Sequence, residues 1–274
     1  MRFTKILNKL YIYIVYLYMS ITNRHIVFTD MFSQKFLLTK QDSVVFNMKR
    51  KSITDGINVI NYIVNNKKNF KVQIDFGCHM GAVSVAMWTT ASSNGIVYSI
   101  DADPYNATKC KINLKLNGYN DRYVFYAAIA SYSGKAQLRI YDGKNGWQTL
   151  LGNSNYNRTH KNHFISVPAV TFADFISSNN ISQIDFVKID IEGMEYELLT
   201  QMHDLLCLKT IKEVIFELNE ITIEPTGKTR SELLVLWEQY DYTLYIIEGN
   251  GDISELLSGV IPDAPVCDIL AKAN

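Results

Sequence analysis

From Val72 onward, short apolar runs alternate with stretches whose apolar residues recur at helical spacing. VQIDF (72–76), IVYSID (96–101), YVFYAAIA (123–130), IDFVKID (184–190), EVIFELN (213–219) and YTLYII (242–247) read as strands buried on both faces. Between them, Val83, Ala86, Met87 and Thr90 form one helical stripe, Ala107, Cys110 and Leu114 a second, and Met194, Leu198, Leu199, Met202 and Leu205 a third. Arg230 to Tyr240 reads as a further helix. Asp103 before Pro104 is an N-cap with proline at the first helical position. This alternation predicts an α/β domain with a doubly wound, mostly parallel sheet and helices on both faces. Residues 131–170 break the rhythm. AQLRIYD and HFISVPAV read there as an antiparallel pair, and VTFADFI as a short helix. The long loop between the pair carries Trp147, Tyr156, His160 and His163, a candidate lid or acceptor-binding element.

Ahead of this domain the pattern changes. Lys5 and Lys9 precede an apolar run from Leu10 to Ile21 that only Ser20 interrupts. The run is shorter than the roughly 20 residues of a spanning helix. No small-x-small cleavage site follows it. Residues 6–22 therefore read as a helix for peripheral membrane or partner contact or as one that packs on the domain, with a true signal or anchor as the third alternative. HIVF, KFLL and SVVFNM read as short antiparallel strands, and Ile53 to Val64 as a helix. The chain divides on this basis into an N-terminal extension, 1–50, and a domain, 51–274.

Composition narrows the partners. Lys+Arg and Asp+Glu each number 27, so the formal net charge is zero. The basic excess that holds nucleic-acid phosphates is missing, and no nucleic-acid partner is expected. Cys78, Cys110, Cys207 and Cys267 are widely spaced and form no CxxC pair. That argues against structural zinc and against a disulfide scaffold, and it fits a cytoplasmic setting.

In open parallel sheets ligands bind at the carboxyl ends of the strands, near the switch point. The first strand ends in DFGCHMG, which puts Asp75, Gly77 and Gly81 at a strand-to-helix turn. Glycine there permits a sharp turn and close approach of a ligand, and the helix start offers unpaired N–H groups. The plain alternative is a tight turn with no ligand. The second strand ends in Asp101, where an acid can accept from two vicinal ribose hydroxyls. Its own alternative is a solvated carboxylate at a strand end. A dinucleotide fingerprint would need G-x-G-x-x-G, but His79 stands where the middle glycine belongs. Asp75 would also repel a pyrophosphate. It suits a cofactor with a positive end, such as S-adenosyl-L-methionine, so a nicotinamide dehydrogenase is the weaker reading.

DFGCHMG, VYSIDADP, NLKLNG, AAIASYSG, VTFADFI, DFVKIDIEGMEYELL and VIFELN, in that order, resemble the FkbM family of S-adenosylmethionine-dependent methyltransferases. The resemblance runs from about Val72 to Asn219 and is most specific at KIDIEGME. It implies a Rossmann-like methyltransferase fold and O-methylation of a hydroxyl, on a sugar, a glycan or a small metabolite. By position it places Asp75, Gly77 and Gly81 around the methionine part of the cofactor and Asp101 at the ribose. Asp103 and Ala127-Ala128-Ile129 fall near the adenine. Asp190, Glu192 and Glu195 fall on the reaction side. Two departures stand out: His79 where the family has asparagine, and Asp101-Ala102 where it has Glu-Pro. His79 is read as a cofactor contact, with a catalytic base as its alternative.

Methyl transfer to a hydroxyl requires alignment and removal of one proton. Asp190, at the strand end itself, is the first choice of base. Glu192 and Glu195 either orient substrate or bind backbone N–H groups at the helix start, where acids are favoured by about 0.3–1 kcal/mol each. Glu197 reads as helix surface. Lys188 reads as a strand residue paired with a nearby carboxylate. A divalent metal on Asp190, Glu192 and Glu217 is a third reading of the acids, and no metal is assigned. The functional alternatives are a nucleic-acid methyltransferase, which lacks an Asn-Pro-Pro-Tyr-like element here, and a non-catalytic S-adenosylmethionine-binding module.

Overall fold

The structure, a computed structural model, describes residues 19, 22, 25–29, 32–39, 56–141, 148–151 and 161–274. Its centre is an eight-stranded sheet. The strands are β1 (Val72–Phe76), β2 (Ile96–Asp101), β3 (Val124–Tyr126), β4 (Phe186–Ile189), β5 (Glu213–Asn219), β6 (Tyr242–Ile247), β7 (Ile253–Glu255) and β8 (Val266–Ala273). Their order is β7-β6-β8-β5-β4-β1-β2-β3. The β3-β2-β1-β4-β5 portion is parallel, and β8 is antiparallel to both β5 and β6. The order reverses between β1 and β4, so the switch point lies there.

The helices used below are α1 (Ile57–Asn65), α2 (Ala82–Thr90), α3 (Pro104–Leu116), α4 (Phe172–Ser178) and α5 (Glu195–Gln201). Strand alternation sorts their partners. Ile74, Phe76, Ile100, Val187, Ile189 and Phe216 point to one face and pack with Phe172 and Phe175 of α4 and Leu198 and Leu199 of α5. Val97, Phe186, Ile215 and Leu270 point to the other and pack with Val59, Ile60 and Ile63 of α1 and Val83, Ala86 and Met87 of α2. Each such side chain, fully buried, contributes about 1.5–3 kcal/mol. Two residues closer to the carboxyl edge on the α1/α2 face, the apolar side chains give way to charged ones. Lys188 follows Phe186, Glu217 follows Ile215, and Asp268 comes two before Leu270 on the antiparallel strand.

Two elements differ from the sequence pattern. YVFYAAIA is not one strand. Val124–Tyr126 pairs with β2, and Ala128–Ile129 leaves it to join a separate three-stranded sheet with Gly134–Tyr141 and Asn162–Val170. The break falls at Ala127, whose N–H donates to the Asp101 carbonyl at the last β2 position. Small side chains there let the chain turn across the strand end. The C-terminal strands β7 and β8 carried no local signal. VCDILAKA interleaves charge with apolar residues, and its place between β5 and β6 is decided by long-range pairing alone.

The N-terminal hairpin, Ile26–Thr29 with Lys35–Leu38, lies on α3. Asn117 Oδ1 accepts from the Lys35 N–H at 2.8 Å and Asn113 Oδ1 from the Leu37 N–H at 2.7 Å. Met19, Phe36 and Leu38 are buried with Cys78, Met80 and Leu114. The rest of the apolar segment 6–22, apart from Met19 and Thr22, lies outside the described residues, as do SVVFNM, Trp147, Tyr156 and His160. Among the described residues no helix is long and apolar enough to cross a membrane.

Candidate active site

A cavity of about 420 Å³ opens at the carboxyl edge of the sheet, over the switch point. Its volume is in the range of small-molecule and cofactor sites. Gly77, His79, Asp101 and Ala128 line one half, and Asp190, Glu192, Glu217 and Asp268 the other.

The first half is built from the turn after β1. Gly77 has φ +77°, and a Cβ there would stand 1.6 Å from the Asp190 carbonyl oxygen. Only glycine lets the β1 and β4 ends close against each other. The first three N–H groups of the turn are not open to a ligand as the sequence suggested. Those of Gly77 and Cys78 donate to the Ile100 carbonyl, and that of His79 donates to Asp101 Oδ2 at 2.7 Å. Asp101 Oδ1 accepts from the Asp103 N–H at 2.8 Å and from Asn106 Nδ2 at 3.3 Å. A carboxylate has about four acceptor sites. Three are filled, so Asp101 has room for one further hydroxyl, where two vicinal ones were expected. Burial raises the Asp101 carboxyl to about 7, against the lowering effect of these N–H donors.

Three of the expected cofactor contacts do not reach the cavity. Asp75 is fully buried in β1, where Oδ2 accepts from Ser84 Oγ at 2.6 Å and Ser84 Oγ accepts from Ser99 Oγ. Gly81, φ +87°, caps α2, and a Cβ there would meet Cys110 Sγ at 2.7 Å. Its role is close helix packing. Asp103 caps α3 by accepting from the Tyr105 N–H, and it accepts from Gln148 Nε2 at 2.9 Å. Their carboxylates and backbones hold the turn; they do not face a ligand. Ala128 lines the cavity as a small wall.

The two halves meet at Lys188. Its ammonium donates to the Gly77 carbonyl at 3.2 Å and to Asp190 Oδ2 at 3.1 Å, with Asp75 Oδ1 at 3.8 Å behind it. Burial pulls the ammonium down, but Asp190 and Asp75 outweigh that and hold it above the usual lysine range. Burial pushes the Asp75 carboxyl up in spite of Lys188, because one ammonium serves two acids and Asp190 is the nearer. Asp190 is partly exposed, and its Oδ1 has no hydrogen bond among the described residues.

Beyond Asp190 the chain makes a strained turn. Glu192 has φ +53° and Gly193 φ +104°. A Cβ at Gly193 would meet the Thr222 carbonyl at 2.5 Å and Leu151 Cδ1 at 2.7 Å. Glu195 holds this turn. It is 1% exposed, and its carboxylate accepts from the Ile191 N–H at 2.9 Å and the Gly193 N–H at 3.0 Å. This corrects the catalytic assignment of Glu195: of its two readings, binding backbone N–H groups is the one realised. The signal was available in EGME, since a positive-φ glycine two residues before an acid turns N–H groups back toward it. Glu192 stays in the cavity wall, and its carbonyl accepts from Thr149 Oγ1 at 2.9 Å. Gln148 and Leu150, from the end of the loop described at 148–151, also line the cavity.

The remaining acids come from β5 and β8. Glu217 Oε2 accepts from Asn219 Nδ2 at 2.9 Å. The Asp268 carboxylate has no hydrogen bond among the described residues, and no motif pointed to it. Burial, then Asp190, raise Glu192, Glu217 and Asp268, the last to about 7. Lys188 is the one lysine or arginine lining the cavity among the described residues. No three His, Cys, Asp or Glu side chains among those residues take up a metal-holding arrangement, so Asp190, Glu192 and Glu217 do not form the ligand set weighed above.

Residues 75–244 match the methyltransferase FkbM domain. The chain belongs to the FkbM methyltransferase family. The matched segment of this FkbM domain spans β1 to the start of β6 and supplies Asp190, Glu192 and Glu217, whereas Asp268 lies beyond it. No curated protein matches the chain in sequence. Similar solved structures include an O-methyltransferase from Bacillus cereus in complex with SAH, 13% identical over 80% of each chain with TM-score 0.42. Another is the O-methyltransferase TomG from Streptomyces achromogenes in complex with SAM, 10% identical over 86% of this chain and 88% of that one, TM-score 0.45. A third is an rRNA methylase from Streptococcus thermophilus, 9% identical over 81% of this chain and 98% of that one, TM-score 0.44.

Proposed function

We propose that this methyltransferase uses S-adenosyl-L-methionine to methylate a hydroxyl of a sugar, a glycan or a small metabolite, with Asp190 as the proton acceptor. The observation that carries the reading is one cavity joining Asp101 and the glycine turn to Asp190, whose Oδ1 is open while Oδ2 is held by Lys188. The donor set fits the cofactor. Asp101 keeps one acceptor site for a ribose hydroxyl, Ala128 gives a small wall beside it, and the acids beyond Gly77 suit a sulfonium. The bound cofactor would supply the electrophilic methyl group. The chain's own task is then to orient the acceptor and take its proton. Lys188 fixes the Asp190 carboxylate from one side, so the hydrogen bond from an acceptor hydroxyl forms on the other and strengthens as the proton leaves. Glu192, beside it, is read as an orienting group for that hydroxyl. Within the extension assigned to residues 1–50, the described hairpin docks on this domain through the Asn113 and Asn117 contacts, which supports treating it as part of one folded unit.

Calorimetry with S-adenosylhomocysteine and transfer of labelled methyl to a panel of hydroxylated acceptors test this. Asp190→Asn is expected to bind S-adenosylhomocysteine within about threefold of the parent and to lose about 100-fold or more in methyl transfer. Full transfer by that variant would remove Asp190 from the role of base. A folded parent that binds no S-adenosylhomocysteine would sink the cofactor assignment.

A further inference from the structure

We infer that Glu217 and Asp268 bind a positively charged amine on the acceptor, so that the substrate carries an ammonium group near the hydroxyl it presents. The inference rests on the methyltransferase reading above and goes beyond it in naming the acceptor's charge.

Glu217 and Asp268 are direct cross-strand partners in the antiparallel β5–β8 pair, and both line the cavity. Directly opposed residues of such a pair project to the same face, where like charges destabilise the sheet. Among the described residues Lys188 is the one lysine or arginine lining the cavity, and its partial relief of Asp268 is shared with nearer acids. Lys188 is already tied to Asp190 and the Gly77 carbonyl, with Asp75 behind it. Asp268 is partly covered, and it lines the cavity. Its carboxylate has no hydrogen bond among the described residues. Glu217 Oε1 is open in the same way, since Asn219 engages only Oε2. Burial, then Asp190, push both carboxyls upward, in keeping with the charge crowded on this face.

An ammonium group meets both deficits at once. It offers three N–H donors and one positive charge, whereas a hydroxyl offers one donor and none. The cofactor's own amine is the competing cation. Strand order separates the two: Gly77 closes against the Asp190 carbonyl at the β1–β4 seam, whereas Glu217 is one strand and Asp268 two strands beyond β4. Asp190 and Glu192 are the acids beside the cofactor turn. Glu217 and Asp268 stand on the far, acceptor side.

Full-length protein saturated with S-adenosylhomocysteine is titrated with glucosamine, and with glucose and N-acetylglucosamine as uncharged matches, by saturation-transfer NMR. Glucosamine is expected to bind at least tenfold more tightly than either match at pH 7.5. Asp268→Asn and Glu217→Gln are expected to abolish that preference and to bind S-adenosylhomocysteine within about threefold of the parent. Equal binding of the three sugars, or a glucosamine preference that survives in both variants, overturns the proposal. A tenfold or greater loss of S-adenosylhomocysteine affinity in Asp268→Asn also overturns it, by assigning the pair to the cofactor's amine. If the folded parent binds no S-adenosylhomocysteine, the underlying reading fails and this inference falls with it. Its own failure is the distinct case in which that binding is intact and the amine preference is missing.

Discussion

The two halves of the cavity use carboxylates in opposite ways. Around the β1 and β2 ends, Asp75, Asp101 and Asp103 are buried and engaged by the protein itself, through Ser84, the His79 and Asp103 N–H groups, and the Tyr105 N–H. Asp75 Oδ1, however, has no hydrogen bond among the described residues and only the Lys188 ammonium 3.8 Å away. Around the β4, β5 and β8 ends, Asp190 Oδ1, Glu192, Glu217 Oε1 and Asp268 face the cavity without such partners. Rigid groups hold a constant ligand, and unsatisfied groups wait for one that completes them. On the proposed reading, the first half would hold the cofactor and the second the acceptor.

Breaking the seam between the halves is expected to have the largest effect. Gly77→Ala places a Cβ 1.6 Å from a backbone oxygen that no rotamer can move, at φ +77°. We expect the variant to yield no S-adenosylhomocysteine-binding protein, or a folded one with affinity lowered at least 100-fold. Calorimetry beside circular dichroism checks this, and near-parental affinity would show that the two strand ends need not touch.

This seam was half legible in sequence. VQIDF followed by glycine announced the turn, and KIDIEGME announced the second strand end, because both are local patterns of apolar run and turn residue. That Gly77 abuts Asp190 depends on β1 and β4 pairing across more than a hundred residues, which no local pattern encodes. The same limit hid Asp268. Its strand has no flanking motif, and it enters the site only because β8 inserts beside β5. The acids of the first half were legible as acids but not as to which way their oxygens turn. Asp101 satisfies its own turn because N–H groups of His79 and Asp103 converge on it, and that convergence exists only in the folded chain.

Removing the bridge is the next largest perturbation. Lys188→Met keeps the stem of the side chain and deletes the charge that holds Asp75 and Asp190. Breaking a buried pair from one side costs about 3–5 kcal/mol, because the other charge is left uncompensated. Urea unfolding at pH 7.5 should show a loss of that order. Asp75→Asn in the same chain should recover part of it, since the fully buried acid is then neutral. A loss below about 1 kcal/mol would mean that Lys188 is not the counter-charge its distances imply.

Glu195 sharpens the comparison at smaller scale, because it sits in the acceptor half yet behaves like the acids of the other. Burial raises its carboxyl from an ordinary 4.5 to about 7, despite the N–H groups of Ile191 and Gly193 that favour the ionised form. A carboxyl raised in this way holds its proton more tightly folded than unfolded. The stability it contributes is complete below the unfolded value near 4.5 and is lost as pH rises toward about 7. The size is about 3 kcal/mol over that window, from 1.36 kcal/mol per unit. Glu195→Gln keeps an oxygen for the same N–H groups and does not titrate. Unfolding free energies at pH 4.5, 6 and 8 should therefore fall more steeply with pH in the parent than in the variant. Saturating S-adenosylhomocysteine should leave the difference between the two slopes unchanged, because Glu195 is enclosed by its own turn. Equal slopes would mean that Glu195 is not buried as a protonatable group. A difference in slopes that closes on ligand binding would return it to the cavity and to the acids that await a substrate.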